Sequence, residues 1–221
     1  MMKINRRYNV SILLGMLLCI TACTKYQGYY EYENTEKVFN GNSLAYLQSK
    51  PGVFDSVLLV LDRLPYLKDA VANEKVTVFA PTNSTFQTAL SNLNLVRDNQ
   101  KKEHLSIQNL DIAQLDTLMT KYIGAGIVTT DSTLYIDGLF IETYGIRHPM
   151  HAQRIKENAS GLVNGGAEIM YYSDTKNNSF QSQWIRASSQ AVNIFTGNGV
   201  VHVLGGRHEF GFGDFLTRMN K

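Results

Sequence analysis

Hydrophobic spacing changes character once along this chain of 221 residues, and the change limits the folds open to it. Up to about residue 122 the apolar side chains recur at helical intervals. Phe54, Val57, Leu58, Leu61 and Leu64 form one apolar stripe along a helix, which Pro65 punctuates. Leu115, Leu118, Met119 and Tyr122 repeat the spacing, with Gly124 and Gly126 placed to end that helix. Shorter helices are predicted around Leu44, Tyr46 and Leu47 and from Tyr66 to Ala72. From residue 127 onward the apolar runs are short and rich in β-formers. They are Ile127-Val128, Leu134-Tyr135-Ile136, Leu139-Phe140-Ile141, Ile169 to Tyr172, Gln190 to Phe195 and Val200 to Leu204. Asp137-Gly138 reads as a tight turn, and Asn198-Gly199 as a type I′ turn with positive φ at both positions. Arg97 to Asn109 and Gly145 to Gly166 read as surface loops. Helices followed by strands predict an α+β fold with an antiparallel sheet.

The first 22 residues carry a different signal. Lys3, Arg6 and Arg7 precede an apolar run from Val10 to Ile20, too short to span a bilayer as an ordinary helix. The run ends in Leu18-Cys19-Ile20-Thr21-Ala22-Cys23, which resembles the lipobox of bacterial lipoproteins. That resemblance implies cleavage before Cys23 and acylation of its thiol and new amino terminus, a stable anchor. An ordinary secretory signal with a coincidental cysteine is the alternative. On the lipoprotein reading Cys19 leaves with residues 1–22 and Cys23 is capped by lipid, so no thiol remains for a disulfide or a metal. Losing Lys3, Arg6 and Arg7, with no acidic residue among the first 22, moves the formal charge from +2 to −1. No basic field remains to attract nucleic acid. Residues 23–40 read as a lipidated tether carrying Tyr26, Tyr29, Tyr30 and Tyr32, either a plain spacer or one whose rings pack on the domain or the lipid.

Two segments carry a further resemblance. In Val76-Thr77-Val78-Phe79-Ala80-Pro81-Thr82-Asn83-Ser84-Thr85-Phe86 a strand is broken by proline and followed by a helix start. Thr82 is placed to cap that helix, which runs through Leu90 and buries Phe86, Ala89 and Leu90. Thr77, Phe79, Ala80, Pro81, Thr82, Asn83 and Phe86 resemble the first signature motif of the fasciclin (FAS1) domain. Asn198, Gly199, Val200, His202 and Val203 resemble the second. Their order and separation match as well. The resemblance implies an α+β FAS1 fold, a wedge-shaped antiparallel β-sandwich with packed helices, over residues 41–213, with 214–221 as a C-terminal tail. It implies adhesion or extracellular binding rather than catalysis, with no cofactor. Many fasciclin domains carry a Tyr-His pair between the motifs. Here Tyr122 is kept and Ile123 stands where His would be, which puts integrin-like adhesion in doubt. His208-Glu209-Phe210-Gly211-Phe212-Gly213 resembles the end of fasciclin-like lipoproteins of Bacteroidetes-type bacteria. That implies an outer-membrane location, surface or periplasmic, sometimes beside glycan-uptake machinery.

The remaining candidates are weaker. His148 and His151 are spaced to share a metal, but Pro149 argues against a regular helix and no third ligand is fixed. His202 reads as a core histidine of the second motif. Trp184 with Tyr171 and Tyr172 is a candidate aromatic platform for sugar rings, against the plainer reading of core or sheet surface. Asp131-Ser132-Thr133 resembles a bacterial O-glycosylation site, against an unmodified turn. No Gly-x-Ser-x-Gly elbow or phosphate loop is present. Three functions stand: a lipid-anchored adhesion or binding module for an extracellular protein or glycan, an accessory glycan-binding protein of a polysaccharide-uptake system, and, remotely, an envelope hydrolase.

Overall fold

Helices come first and the strands enclose a core against them. In the computed structural model the described residues are 37–134, 136–158, 161–166 and 168–221. Cys23, residues 1–22, the tether tyrosines and Tyr135 lie outside them. The elements are α1 Ser43–Gln48, α2 Asp55–Arg63, α3 Pro65–Asn73, β1 Val76–Ala80, α4 Asn83–Asn99, α5 Ile112–Met119, β2 Ile123–Ala125, β3 Leu139–Glu142, β4 Pro149–Lys156, β5 Glu168–Asp174, β6 Ile185–Phe195, β7 Gly199–Leu204 and α6 Phe215–Met219.

The helical half follows the predicted stripes. Phe54, Val57, Leu61 and Leu64 are buried, with Leu58 partly so. Pro65 opens α3 at its first position, where a missing N–H costs nothing. Two helical readings need correction. α4 continues to Asn99, well past Leu90, because its polar residues face solvent while Leu93 and Arg97 remain buried. Gly124 does not end α5; a 3₁₀ turn over Thr120–Tyr122 does, and Gly124 sits inside β2.

All seven strands form one sheet in the order β2-β1-β7-β6-β5-β4-β3. The pairing is antiparallel except between β1 and β7, which run parallel with Val76 opposite Gly199 and Ala80 opposite Val203. The expected wholly antiparallel sheet is thus corrected. The connection from β1 to β7 contains most of the domain, long enough for a parallel pair. The sheet curls until its edges meet. Gly124 of β2 bridges Thr143 beyond β3, and the Tyr144 amide donates to Ile123 O at 2.7 Å. The rings of Phe79 on β1 and Tyr172 on β5 stack at 3.6 Å although two strands separate β1 from β5 in the sheet. Such a contact is made only across the inside of a nearly closed barrel.

Several strand readings also shift. Ile127, Val128, Leu134 and Ile136 are not in strands, and Tyr135 between the last two lies outside the described residues. Ile127 and Val128 follow β2 as a clamped loop described below. The excursion expected from Gly145 to Gly166 instead contains β4, whose Met150 and Ala152 are fully buried. Its Pro149 at the strand start and polar His151, Gln153 and Arg154 hide the alternation. The tail expected over 214–221 forms α6, which buries Phe215 and Met219. Order also starts before residue 41: Val38 bridges Phe195, and Phe39 N donates to Phe195 O at 2.9 Å.

Candidate functional site

The two motifs meet where β1 and β7 pair. Their apolar members, Phe79, Ala80, Val200 and Val203, are buried, and Phe86 stacks on Phe210 at 4.2 Å. Their polar members hold backbone. Thr77 Oγ1 donates to Gly126 O at 2.8 Å and accepts from Val128 N at 2.8 Å. His202, opposite Phe79, donates from Nε2 to Val128 O at 2.9 Å and accepts at Nδ1 from Asn193 N at 3.3 Å. Both side chains thus clamp the 126–128 loop. Asn193 has φ 56° at a register shift between β6 and β7, and its side chain fixes Thr130. Burial lowers the His202 pKa to about 4, so the ring is neutral at physiological pH.

Helix ends are held the same way. Asn83 Oδ1 accepts from Ser56 N at 2.8 Å, capping α2 across space, and Asn83 Nδ2 donates to Gly52 O at 3.0 Å. Thr82 occupies the N-cap position of α4, but the expected hydroxyl-to-backbone bond is absent; its Oγ1 pairs with the Ser84 hydroxyl at 2.9 Å. Asn198 and Gly199 have no positive φ, so the type I′ turn is corrected. Instead Asn198 Oδ1 accepts from Ser43 N at 2.8 Å at the start of α1, and its Nδ2 donates to Val71 O and Glu74 O at the end of α3. Gly199 is required by contact: a Cβ there would lie 2.2 Å from Val76 O. Pro81 separates β1 from α4 as expected.

Ile123 is fully buried in β2 opposite Val78. The imidazole missing from its position comes from elsewhere. Tyr122 OH lies 2.7 Å from His208 Nε2 and accepts from Gly211 N at 2.8 Å. The phenol therefore donates to His208. Phe210 and Phe212 each stack on Tyr122 at 5.2 Å, so the aromatic tail packs into the core. Burial lowers the His208 pKa to about 3 and raises that of Tyr122 well above its ordinary value.

A buried charge cluster escaped the sequence reading altogether. Lys121 Nζ lies 2.7 Å from Asp174 Oδ2 and 2.6 Å from Asp214 Oδ2. Lys176 Nζ lies 2.8 Å from Asp214 Oδ1 and 3.2 Å from Asp174 Oδ2, paired by charge without hydrogen-bond geometry. His148 Nε2 contacts Asp174 Oδ1 at 3.1 Å. Burial pushes the Asp174 carboxyl up, but His148 and Lys121 override it and hold it well below the carboxylate range. These groups line a pocket of about 210 Å³ with Thr117, Thr120 and Arg218. Each carboxylate faces two lysines, which hold it ionised and make it a weak proton acceptor. Lys121, Asp174 and Asp214 are far apart in sequence; Lys121 precedes the Tyr122-Ile123 position and Asp214 follows the aromatic tail, but nothing in either segment names a partner, so no local signal could have joined them.

The aromatic platform divides. Tyr172 is fully buried, stacked on Phe79 with its hydroxyl donating to Lys121 O at 2.6 Å, and is removed from the candidate platform. Neighbours along a strand face opposite ways, so Tyr171 lies on the outer face, bonded to Glu157 at 2.6 Å. Trp184 is half-buried. Its ring centroid lies 4.7 Å from His151 and 6.0 Å from the exposed Phe140, and Nε1 donates to Asn178 O at 2.7 Å. His148 reaches Asp174 while His151 Nε2 bonds Asp137 O at 2.8 Å, so the two do not converge. Among the described residues no group of three or more His, Cys, Asp or Glu is arranged to hold a metal.

Neither a protein-family model nor a curated protein matches the chain. Among solved structures 13 chains do. One is the FAS1 domain pair from the insect cell adhesion molecule Fasciclin I, with a TM-score of 0.50 at 10% identity over 74% of this chain. The fold is FAS1-like. This chain covers 49% of that pair, about half its length. At 10% identity the FAS1 likeness rests on backbone arrangement.

Proposed function

We propose that this chain is a non-enzymatic binding module of a bacterial envelope, anchored by lipid on Cys23 and mediating adhesion to an extracellular protein or glycan. The FAS1-like fold carries the reading; the similar solved chain belongs to an insect cell adhesion molecule. The engagement of Thr77, Asn83, Asn198 and His202 with backbone supports it. In this reading the motifs build the scaffold and another surface meets the partner. Cys23→Ala is expected to leave an unacylated precursor that keeps residues 1–22, read by intact mass and cell fractionation. A variant processed and membrane-associated like the wild type would overturn the anchor.

A second reading, an accessory glycan-binding protein of an outer-membrane uptake system, is favoured by Trp184. Its indole is oriented by the bond to Asn178 O and lies beside exposed Phe140, a surface suited to stacking on a sugar ring. Trp184→Ala is expected to abolish retention on a glycan array. Retention unchanged by the substitution would remove this reading.

A further inference from the structure

We infer that the end of the barrel at which the tether enters rests on the bilayer surface. The inference rests on the anchored reading and adds an orientation to it. Strand directions define the two ends. Val76 lies opposite both Gly199 and Ala125, and Phe195 lies opposite Val200. The start of β1, the start of β7, the end of β2 and the end of β6 are therefore at one end. Lys156 pairs with Glu168, while Tyr171 pairs with Ser188 near the middle of β6. The β4–β5 connection thus projects toward that same end.

The tether arrives there too. Phe195 N donates to Lys37 O at 2.9 Å, and Val38 bridges Phe195. Residues 23–36 reach at most about 50 Å when fully extended, so a lipidated Cys23 keeps this end within that distance of the membrane and raises its local concentration there. Exposed apolar side chains collect at it from four segments. Leu162 and Val163 at the β4–β5 connection are 66% and 75% exposed, Val38 is 68% exposed, and Ile127 and Phe195 are also exposed. A lipid interface accepts such side chains, whereas water does not favour them.

Charge refines the partner. Toward this end Lys37, Lys75, Arg154 and Lys156 are offset by Glu74, Asp131, Glu157 and Glu168, with Arg154 paired to Asp131 and Glu168. Docking is therefore apolar rather than an attraction to anionic headgroups, and a zwitterionic surface suffices. At the opposite end Trp184, just before β6, stays in water.

The chain provides its own reference probe, because Trp184 is its one tryptophan. The processed chain, from Cys23 onward, is coupled through the Cys23 thiol to a maleimide lipid in phosphatidylcholine vesicles with brominated acyl chains. Trp184 emission is expected to be unchanged. In Val163→Trp the added indole is expected to shift to the blue and lose most of its emission, equally at low and high salt. An added indole that is neither shifted nor quenched would overturn the inference, as would quenching of Trp184 to the same extent. Quenching abolished by high salt would replace apolar docking with electrostatic attraction and overturn it as stated. The imposed anchor keeps this outcome separate from natural acylation, which the intact mass reads independently.

Discussion

Four polar residues of the two signature segments act on backbone. Asn83 and Asn198 hold the ends of three helices, and Thr77 and His202 hold one loop from both sides. The residue types were legible in the sequence as motif members, but their targets were not. Asn198 reaches residues more than 120 positions away. The histidines make this scale testable. His202 and His208 are neutral in the fold, with pKa lowered by burial to about 4 and about 3. In the unfolded chain each returns to about 6.5. Between those values the unfolded chain binds more protons, so stability rises with pH across that window. Their contribution is fully present above about pH 6.5 and is lost as pH falls toward 4 and 3. The urea midpoint is expected to fall through this range, and more steeply for the wild type than for His208→Gln. Identical slopes would show that His208 does not carry the effect.

At the level of elements, hydrophobic period decided what could be read in advance. α2, α5 and β7 were legible because their apolar spacing is clean. β4 was not, since Pro149 and a run of polar residues mask its alternation, and the end of α4, Arg97 to Asn99, read as loop. α6 is too short to show a period, yet it is locked in by Phe215 and by Asp214 at its start. The Lys121 cluster ties α6 to the end of β5 and to the turn before β2. Removing the shared cation leaves two buried or half-buried carboxylates short of a partner. Lys121→Met is therefore expected to cost about 3–5 kcal/mol in urea unfolding at neutral pH. Lys68→Met, breaking an exposed pair with Asp62, is expected to cost less than about 1 kcal/mol. Equal losses would mean that the buried cluster contributes no more than a surface pair.

For the molecule as a whole, the class was legible and the closure was not. Helices followed by short strands indicated α+β, but nothing local announces that Phe79 and Tyr172 will stack across the inside of a curled sheet. The parallel pairing of β1 with β7 has a consequence in time. Ribosomes deliver the chain from its N-terminal end, and β1 cannot gain this neighbour until residues 199–204 have been made. That pair is thus completed only after the elements between β1 and β7 have been made, and closing so long a connection slows folding. A nascent chain of this topology leaves β1 without its parallel neighbour until every intervening element has been made. On the envelope reading proposed above, that delay would keep the chain open while it crosses a translocation channel.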